Sequence, residues 1–230
     1  MTKVGALYLI PVPISETSGN DHIPEYNMEI VKRLTKFIAE DAKTARSFLK
    51  KFGYGSLEAA EINELNRHTK QNEVAGLLNN LLAGYDVGLM SEAGCPAIAD
   101  PGSEVVRLAH QEGIEVIPLT GPSSIVLSIM ASGFNGQSFA FIGYLPIDKF
   151  QRIKKIKELE QLAYKNSQAQ FFIETPYRNE PIFETLLSTL LPQTYLFVGA
   201  DISSSEQKII CKTISKWRTM KPPNIHKTPV

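Results

Sequence analysis

Along the first half of the chain, short apolar runs alternate with stretches that read as helices. Gly5–Ile10 (GALYLI), Lys36–Ala39 (KFIA), Asp86–Met90 (DVGLM) and Glu115–Leu119 (EVIPL) have the length and composition of buried strands. Between them, Asn27–Leu34, Lys43–Phe52, Gln71–Ala83 and Ser103–Glu112 read as helices. Phe48, Leu49 and Phe52 share one face, as do Val74, Leu77, Leu78, Leu81 and Leu82. Gly53, Gly84 and Gly113 stand where those helices should stop. Strands alternating with helices predict a largely parallel sheet.

From Gly121 the pattern restarts. A helix is expected over Ser123–Ser132, a strand over Phe139–Ile142 and a lysine-rich amphipathic helix over Lys149–Tyr164. A strand at Gln170–Glu174, a helix at Asn179–Leu190 and a strand at Thr194–Gly199 follow. Lys208–Ile214 is expected to pair antiparallel with a neighbour. The expectation is an α/β protein of two α/β lobes, 1–119 and 120–230, without internal repeats or a long linker.

Composition narrows the function classes. Lysine plus arginine balances aspartate plus glutamate at 24 each, so any basic footprint for nucleic acid has to be local. Cys95 and Cys211 are too far apart for a zinc spacing and form no disulfide framework, which suits a reducing cytoplasm. The four histidines (His22, His68, His110, His226) show no metal or triad spacing, and no metal site is expected. The N-terminal apolar run is too short for a signal-peptide core, and no run reaches membrane-spanning length. A soluble, cytoplasmic protein is the expectation.

Candidate chemistry gathers at loops that follow the predicted strands. Pro11-Val12-Pro13-Ile14-Ser15 follows the first strand, Ser91–Gly102 (SEAGCPAIADPG) the third, and Thr120–Ser124 (TGPSS) the fourth. Glycine lets a backbone approach a ligand closely and proline stiffens it, and open α/β sheets bind ligands at the carboxyl ends of their strands. Asp100, just before Pro101 and a helix, reads as a cap. Neither GxxxxGK[ST] nor GxGxxG occurs, which excludes a phosphate loop and the standard dinucleotide fingerprint. Glu40-Asp41 sits at a strand end, where the pair can serve as a base or as acidic residues in a helix's first turn. Arg178, in the Glu174–Arg178 loop, suits a phosphate or carboxylate, or a surface ion pair. Lys149, Arg152, Lys154, Lys155 and Lys157 form either a solvated face or a phosphate-contact patch.

Taken together, these loops resemble the tetrapyrrole methylase superfamily, the class III S-adenosylmethionine-dependent methyltransferases. Within it they look most like the small-subunit rRNA cytidine 2′-O-ribose methyltransferases. The matching pieces are LYLIPVPI at 7–14, AED at 39–41, SEAGCPAIADPG at 91–102 and PLTGPSS at 118–124. ASG at 131–133, FIGYLP at 141–146 and ETPYR at 174–178 continue the series. The resemblance implies two lobes with the methyl donor in the cleft between them, a homodimer, and an rRNA substrate. It assigns cofactor-lining roles to Pro11, Pro13, Ser91, Glu92, Ala93, Gly94, Ala97, Ile98, Thr120, Gly121, Pro122, Ser123, Ser124, Gly143, Tyr144 and Leu145. Asp41 and Glu40 become candidates for the base that accepts the ribose hydroxyl's proton, and Arg178, Lys154 and Lys155 candidates for substrate contact. Three features depart from the rRNA pattern. Ser15-Glu16 replaces Gly-Asn, Glu40-Asp41-Ala42-Lys43 replaces Glu-Asp-Thr-Arg, and family members commonly continue beyond the position of Val230 into another strand. Methylation of a small molecule such as a tetrapyrrole, or cofactor binding without catalysis, are the alternatives to rRNA methylation.

Overall fold

The computed structural model describes residues 3–15, 21–66, 68–225 and 228–229; Glu16 and His226, considered above, lie outside the described residues. The chain divides into two compact units, Met1–Ser123 and Ser124–Val230. Thr120–Ser123 therefore goes with the first unit.

The first unit is built on a five-stranded parallel sheet. Its strands are β1 (Leu7–Ile10), β2 (Lys36–Ala39), β3 (Glu61–Glu64), β4 (Val87–Met90) and β5 (Val116–Pro118), in the order β3-β2-β4-β1-β5. Helices cover both faces, so the central strands are apolar on both sides. Phe37 of β2 packs with Ile30, Val31, Phe48 and Leu49 from α1 (Glu25–Arg33) and α2 (Ala42–Lys51). Its neighbour Ile38 points the other way, into a cluster with Val74, Leu81, Val105 and Ala109. Those residues come from α3 (Gln71–Gly76), α4 (Asn79–Leu82) and α5 (Gly102–Gln111). The single helix expected over Gln71–Ala83 is thus two pieces, interrupted after Gly76. Glycine is a weak helix former, and the break leaves Val74, Leu78 and Leu81 all buried.

The strand β3 (EINE) was not legible in the sequence. It lies at the sheet edge, where polar residues are tolerated, and Glu61 pairs with Lys36 of β2 and accepts from Asn80 Nδ2 at 3.1 Å.

In the second unit, α6 (Ser124–Ser132) leads to β6 (Phe139–Tyr144) and α7 (Lys149–Asn166). They are followed by β7 (Ala169–Ile173), α8 (Asn179–Thr189), β8 (Tyr195–Ala200), β9 (Lys208–Thr213) and a short α9 (Ile214–Trp217). β6 and β7 form a parallel pair and β8 and β9 an antiparallel pair, so Lys208–Thr213 does pair antiparallel. Their core is Ile156, Leu159, Ile182, Phe183, Leu186, Leu196, Val198 and Trp217. Trp217 stacks edge-on against Phe183 with ring centroids 5.3 Å apart, and its buried indole N–H donates to the Leu196 carbonyl at 2.9 Å.

Candidate active site at the carboxyl edge of the parallel sheet

Strand order explains why this edge can hold a ligand. The chain leaves β1 toward β2, on one side, and leaves β4 toward β5, on the other; β1 and β4 are hydrogen-bonded neighbours. The two connections take opposite faces of the sheet, through α1 on one and α5 on the other, and adjacent parallel strands whose connections part in this way leave a crevice at their carboxyl ends. The loops after β1, β4 and β5 all emerge at that edge.

Backbone and small-atom contacts lock the three loops together. Val12 and Gly94 exchange two main-chain hydrogen bonds, 3.0 Å from Val12 N and 3.1 Å from Gly94 N. Gly94 adopts φ +71°, and a Cβ there would stand 3.0 Å from Ile14 Cγ2 and 3.3 Å from the Pro122 carbonyl oxygen. Only glycine takes that conformation without strain. The approach of Gly121 to Pro11 is closer still, since a Cβ at 121 would lie 2.2 Å from Pro11 Cβ. The Cys95 thiol donates to the Pro122 carbonyl at 3.3 Å, and burial pushes its pKa up, which keeps it a donor. Asn27, 1% exposed on α1, donates from Nδ2 to the Thr120 carbonyl at 2.8 Å. Sequence reasoning missed Asn27, whose partner is 93 positions away.

Asp100 organises the loop that follows β4. Its carboxylate accepts from Ala97 N at 2.9 and 3.0 Å and from Gly102 N at 2.7 Å, so it clamps the loop as well as the first turn of α5. Desolvation raises its pKa, opposed by hydrogen bonds from Ser91, Gly102 and Ala97. Ala97 (φ 66°) and Ala99 (φ 61°) are left-handed, a conformation that costs a non-glycine residue about 1–3 kcal/mol and persists where surroundings enforce it. Glu92, Ala93 and Ile98 remain exposed. The result is a stiff, main-chain-rich loop with two carboxylates, Glu92 exposed and Asp100 bonded to the loop's own backbone, and no lysine or arginine.

Glu40 and Asp41 lie at the same edge, after β2. Glu40 and Asp100 line one small cavity with Ala39, Leu89 and Met90. Asp41 is the N-cap of α2: its carboxylate accepts from Thr44 N at 2.6 Å, and this hydrogen bond holds its pKa below the usual carboxylate range. That stabilises the anion and makes it a weaker proton acceptor.

The remaining predicted residues belong to the second unit. Ser124 opens α6, while Gly143 (φ +75°) and Tyr144 sit at a register shift that ends β6, followed by buried Leu145. Arg178 donates to the Leu145 carbonyl at 2.9 Å and the Pro146 carbonyl at 3.3 Å, and pairs with Glu174 at 3.1 Å. Arg152, 8% exposed, donates to the Ile147 carbonyl at 2.9 Å. Two arginines therefore hold the turn after β6 from two sides, and Arg178's guanidinium is engaged there. Lys155 pairs with Glu158 at 2.9 Å, and Lys154 is exposed on α7. His22, His68 and His110 are exposed and separate. Among the described residues no three His, Cys, Asp or Glu side chains gather as a metal ion would require, and no helix is long and apolar enough to cross a membrane.

The fold and this edge define a class. The chain has the fold of the methyltransferase CobJ, whose crystal structure superposes with a TM-score of 0.64 at 16% identity, covering 98% of this chain and 92% of that one. More particularly, it is similar to proteins named ribosomal RNA small subunit methyltransferase I. That of Halalkalibacterium halodurans is 29% identical over 213 residues, 92% of this chain and 69% of the relative. That of Leptospira biflexa is 26% identical over 223 residues, 96% and 87%, and that of Escherichia coli O157:H7 is 27% identical over 205 residues, 89% and 68%. No family model matches the chain. The relatives bear out the resemblance carried by the motifs, and with it the reading of the chain as a methyltransferase.

Proposed function

We propose that the chain transfers a methyl group from S-adenosylmethionine to a ribose 2′-hydroxyl of small-subunit rRNA, acting as a cytoplasmic homodimer. The observation that carries the cofactor assignment is the interlocked surface of Pro11–Pro13, Ser91–Ile98 and Thr120–Ser123. It presents main-chain groups and the Glu92 carboxylate and excludes cationic side chains. That donor set fits a ligand bearing a positive sulfonium and a nucleoside. In the second unit, the Gly143–Leu145 segment, which the resemblance also assigns to the cofactor, is held by Arg178 and Arg152.

When bound, S-adenosylmethionine supplies a methyl group already activated by the sulfonium. The protein's task is then to align the acceptor and remove its proton. Glu40 and Asp41 are the carboxylates at the right edge for that removal; Asp41's low pKa favours Glu40 as acceptor and Asp41 as an orienting group. Lys154 and Lys155 on α7 are the candidates for contact with the rRNA, the substrate class that the names of the relatives support, while Arg178 is engaged by the turn after β6.

Tritiated methyl transfer to purified small ribosomal subunits, followed by mapping of 2′-O-methyl positions, tests this reading. Label on one ribose of the rRNA is expected, with calorimetric binding of S-adenosylhomocysteine. Tight binding of that product analogue with no transfer to rRNA would sink the substrate assignment. Absence of binding would sink the cofactor assignment.

A further inference from the structure

The three most exposed large apolar side chains among the described residues are Ile147 and Phe150, each 81% exposed, and Tyr177, 79%. All three belong to one end of one strand pair. Ile147 lies in the turn after β6 and Phe150 in the first turn of α7, while Tyr177 lies in the loop after β7. Because β6 and β7 are parallel neighbours, the turn and the loop emerge at the same edge. Arg178, next to Tyr177, donates to the Leu145 and Pro146 carbonyls, and Arg152, two residues after Phe150, donates to the Ile147 carbonyl. The two rings are therefore carried on braced backbone. Clustered apolar side chains left in water mark an interaction surface.

Charge decides what covers it. Phe150, Lys154 and Lys157 stand at i, i+4 and i+7 on one face of α7, which puts the lysines about 6 and 10 Å along the axis from the ring. Lys149, Lys154 and Lys157 are exposed, and among the described residues none of them is in an ion pair. Three neighbouring acids are already engaged. Asp148 caps α7 by accepting from Gln151 N at 2.9 Å, Glu158 pairs with Lys155, and Glu174 pairs with Arg178. A second copy of the chain docked here about a two-fold axis would set these lysines against their own copies. The charge-free helix α6, with Met130 exposed, suits a second copy better. Flat rings beside unpaired lysines match an unpaired stretch of RNA, whose bases stack on aromatic faces while its phosphates take the cations.

Building on the reading of rRNA as the substrate, we propose that Phe150 and Tyr177 form a stacking platform for unpaired bases of that RNA, with Lys149, Lys154 and Lys157 beside it as phosphate contacts. Phe150→Leu and Tyr177→Leu keep an apolar side chain and remove the ring, whereas Tyr177→Phe keeps the ring. Fluorescence anisotropy reads binding of a short single-stranded oligoribonucleotide of mixed sequence, and initial rates read methyl transfer to purified small ribosomal subunits. Each leucine variant should weaken oligonucleotide binding about fivefold or more, as loss of one stacked base does. It should raise KM for the subunits while kcat and the affinity for S-adenosylhomocysteine stay unchanged, and Tyr177→Phe should behave as wild type. Lys154→Gln and Lys157→Gln should each flatten the logarithmic salt dependence of binding by about 0.7. Tyr85→Leu, which removes an exposed ring at the amino end of β4 in the first unit, should change none of these. Leucine variants with wild-type binding and KM overturn the platform, and the rRNA reading then stands if the wild-type protein methylates the subunits. Leucine variants that turn a dimer into a monomer by light scattering assign the patch to a second copy and overturn the platform as well. A wild-type protein that neither binds the oligonucleotide nor methylates the subunits overturns the platform and the rRNA reading together.

Discussion

Gly121→Ala tests whether the three loops are mechanically interlocked. A Cβ at 121 would sit 2.2 Å from Pro11 Cβ and 2.6 Å from Pro11 Cγ. Carbon atoms in contact are about 3.5–4.0 Å apart, so one loop must retreat by more than an ångström. Pro11 is buried and its ring cannot rotate out of the way. Overpacking of this kind costs about 1–3 kcal/mol. In a chain of this length each kcal/mol lowers Tm by about 2–4 °C, so a fall of about 2–12 °C is expected. Retreat of either loop also disturbs the surface assigned to the cofactor, and the Kd for S-adenosylhomocysteine should rise about tenfold or more, the equivalent of about 1.4 kcal/mol. Gly5→Ala is the control. Its Cβ would lie 1.9 Å from the Tyr85 carbonyl oxygen, at the amino end of β1; Tm should fall with affinity unchanged. In a double-mutant cycle, Pro11→Gly removes the clashing atoms and should give a coupling of about 0.5–3 kcal/mol with Gly121→Ala. A Gly121→Ala protein melting at the wild-type temperature, or a Gly5→Ala protein that loses affinity equally, refutes the interlock.

Asn27→Ala removes the donor beneath Thr120 and leaves that carbonyl without its side-chain partner. Urea unfolding should show a loss of about 1–3 kcal/mol, with weaker S-adenosylhomocysteine binding by calorimetry; unchanged binding would mean the Thr120 loop is placed without it. Asp41 has a folded pKa below its unfolded value, so its contribution is present above the unfolded pKa and is lost as pH falls through the folded one. Asp41→Asn keeps a capping oxygen but no charge, so the stability gap between the two proteins should close on acidification below the ordinary carboxylate range. A gap that is flat across that range would refute a charge-assisted cap.

Much of the framework was legible because it rests on local rules. The apolar runs of β1, β2 and β4 are short, those of β1 and β4 sit between glycine- and proline-marked turns, and a strand buried on both faces has few polar positions to confuse the reading. The loop after β4 stood out through its density of small residues, and Asp100 through its place before Pro101. The edge strand β3 escaped because an exposed edge imposes no apolar pattern. Asp41 and Arg178 were legible as chemistry-bearing residues, but not their bonds to Thr44 N and to the Leu145 carbonyl, since a charged side chain reads the same whether it faces a ligand or a backbone.

By itself, then, the order of residues determined where the strands, helices and stiff turns lie, because those follow from periodicity and from the backbone limits of glycine and proline within a few residues. The order β3-β2-β4-β1-β5, the pairing of Val12 with Gly94, the seat of Gly121 on Pro11 and the bond from Asn27 to Thr120 were decided only in three dimensions. Each joins positions that no local rule relates. Which loops meet depends on how the crossovers wind, and winding is settled by burying both faces of the whole sheet at once.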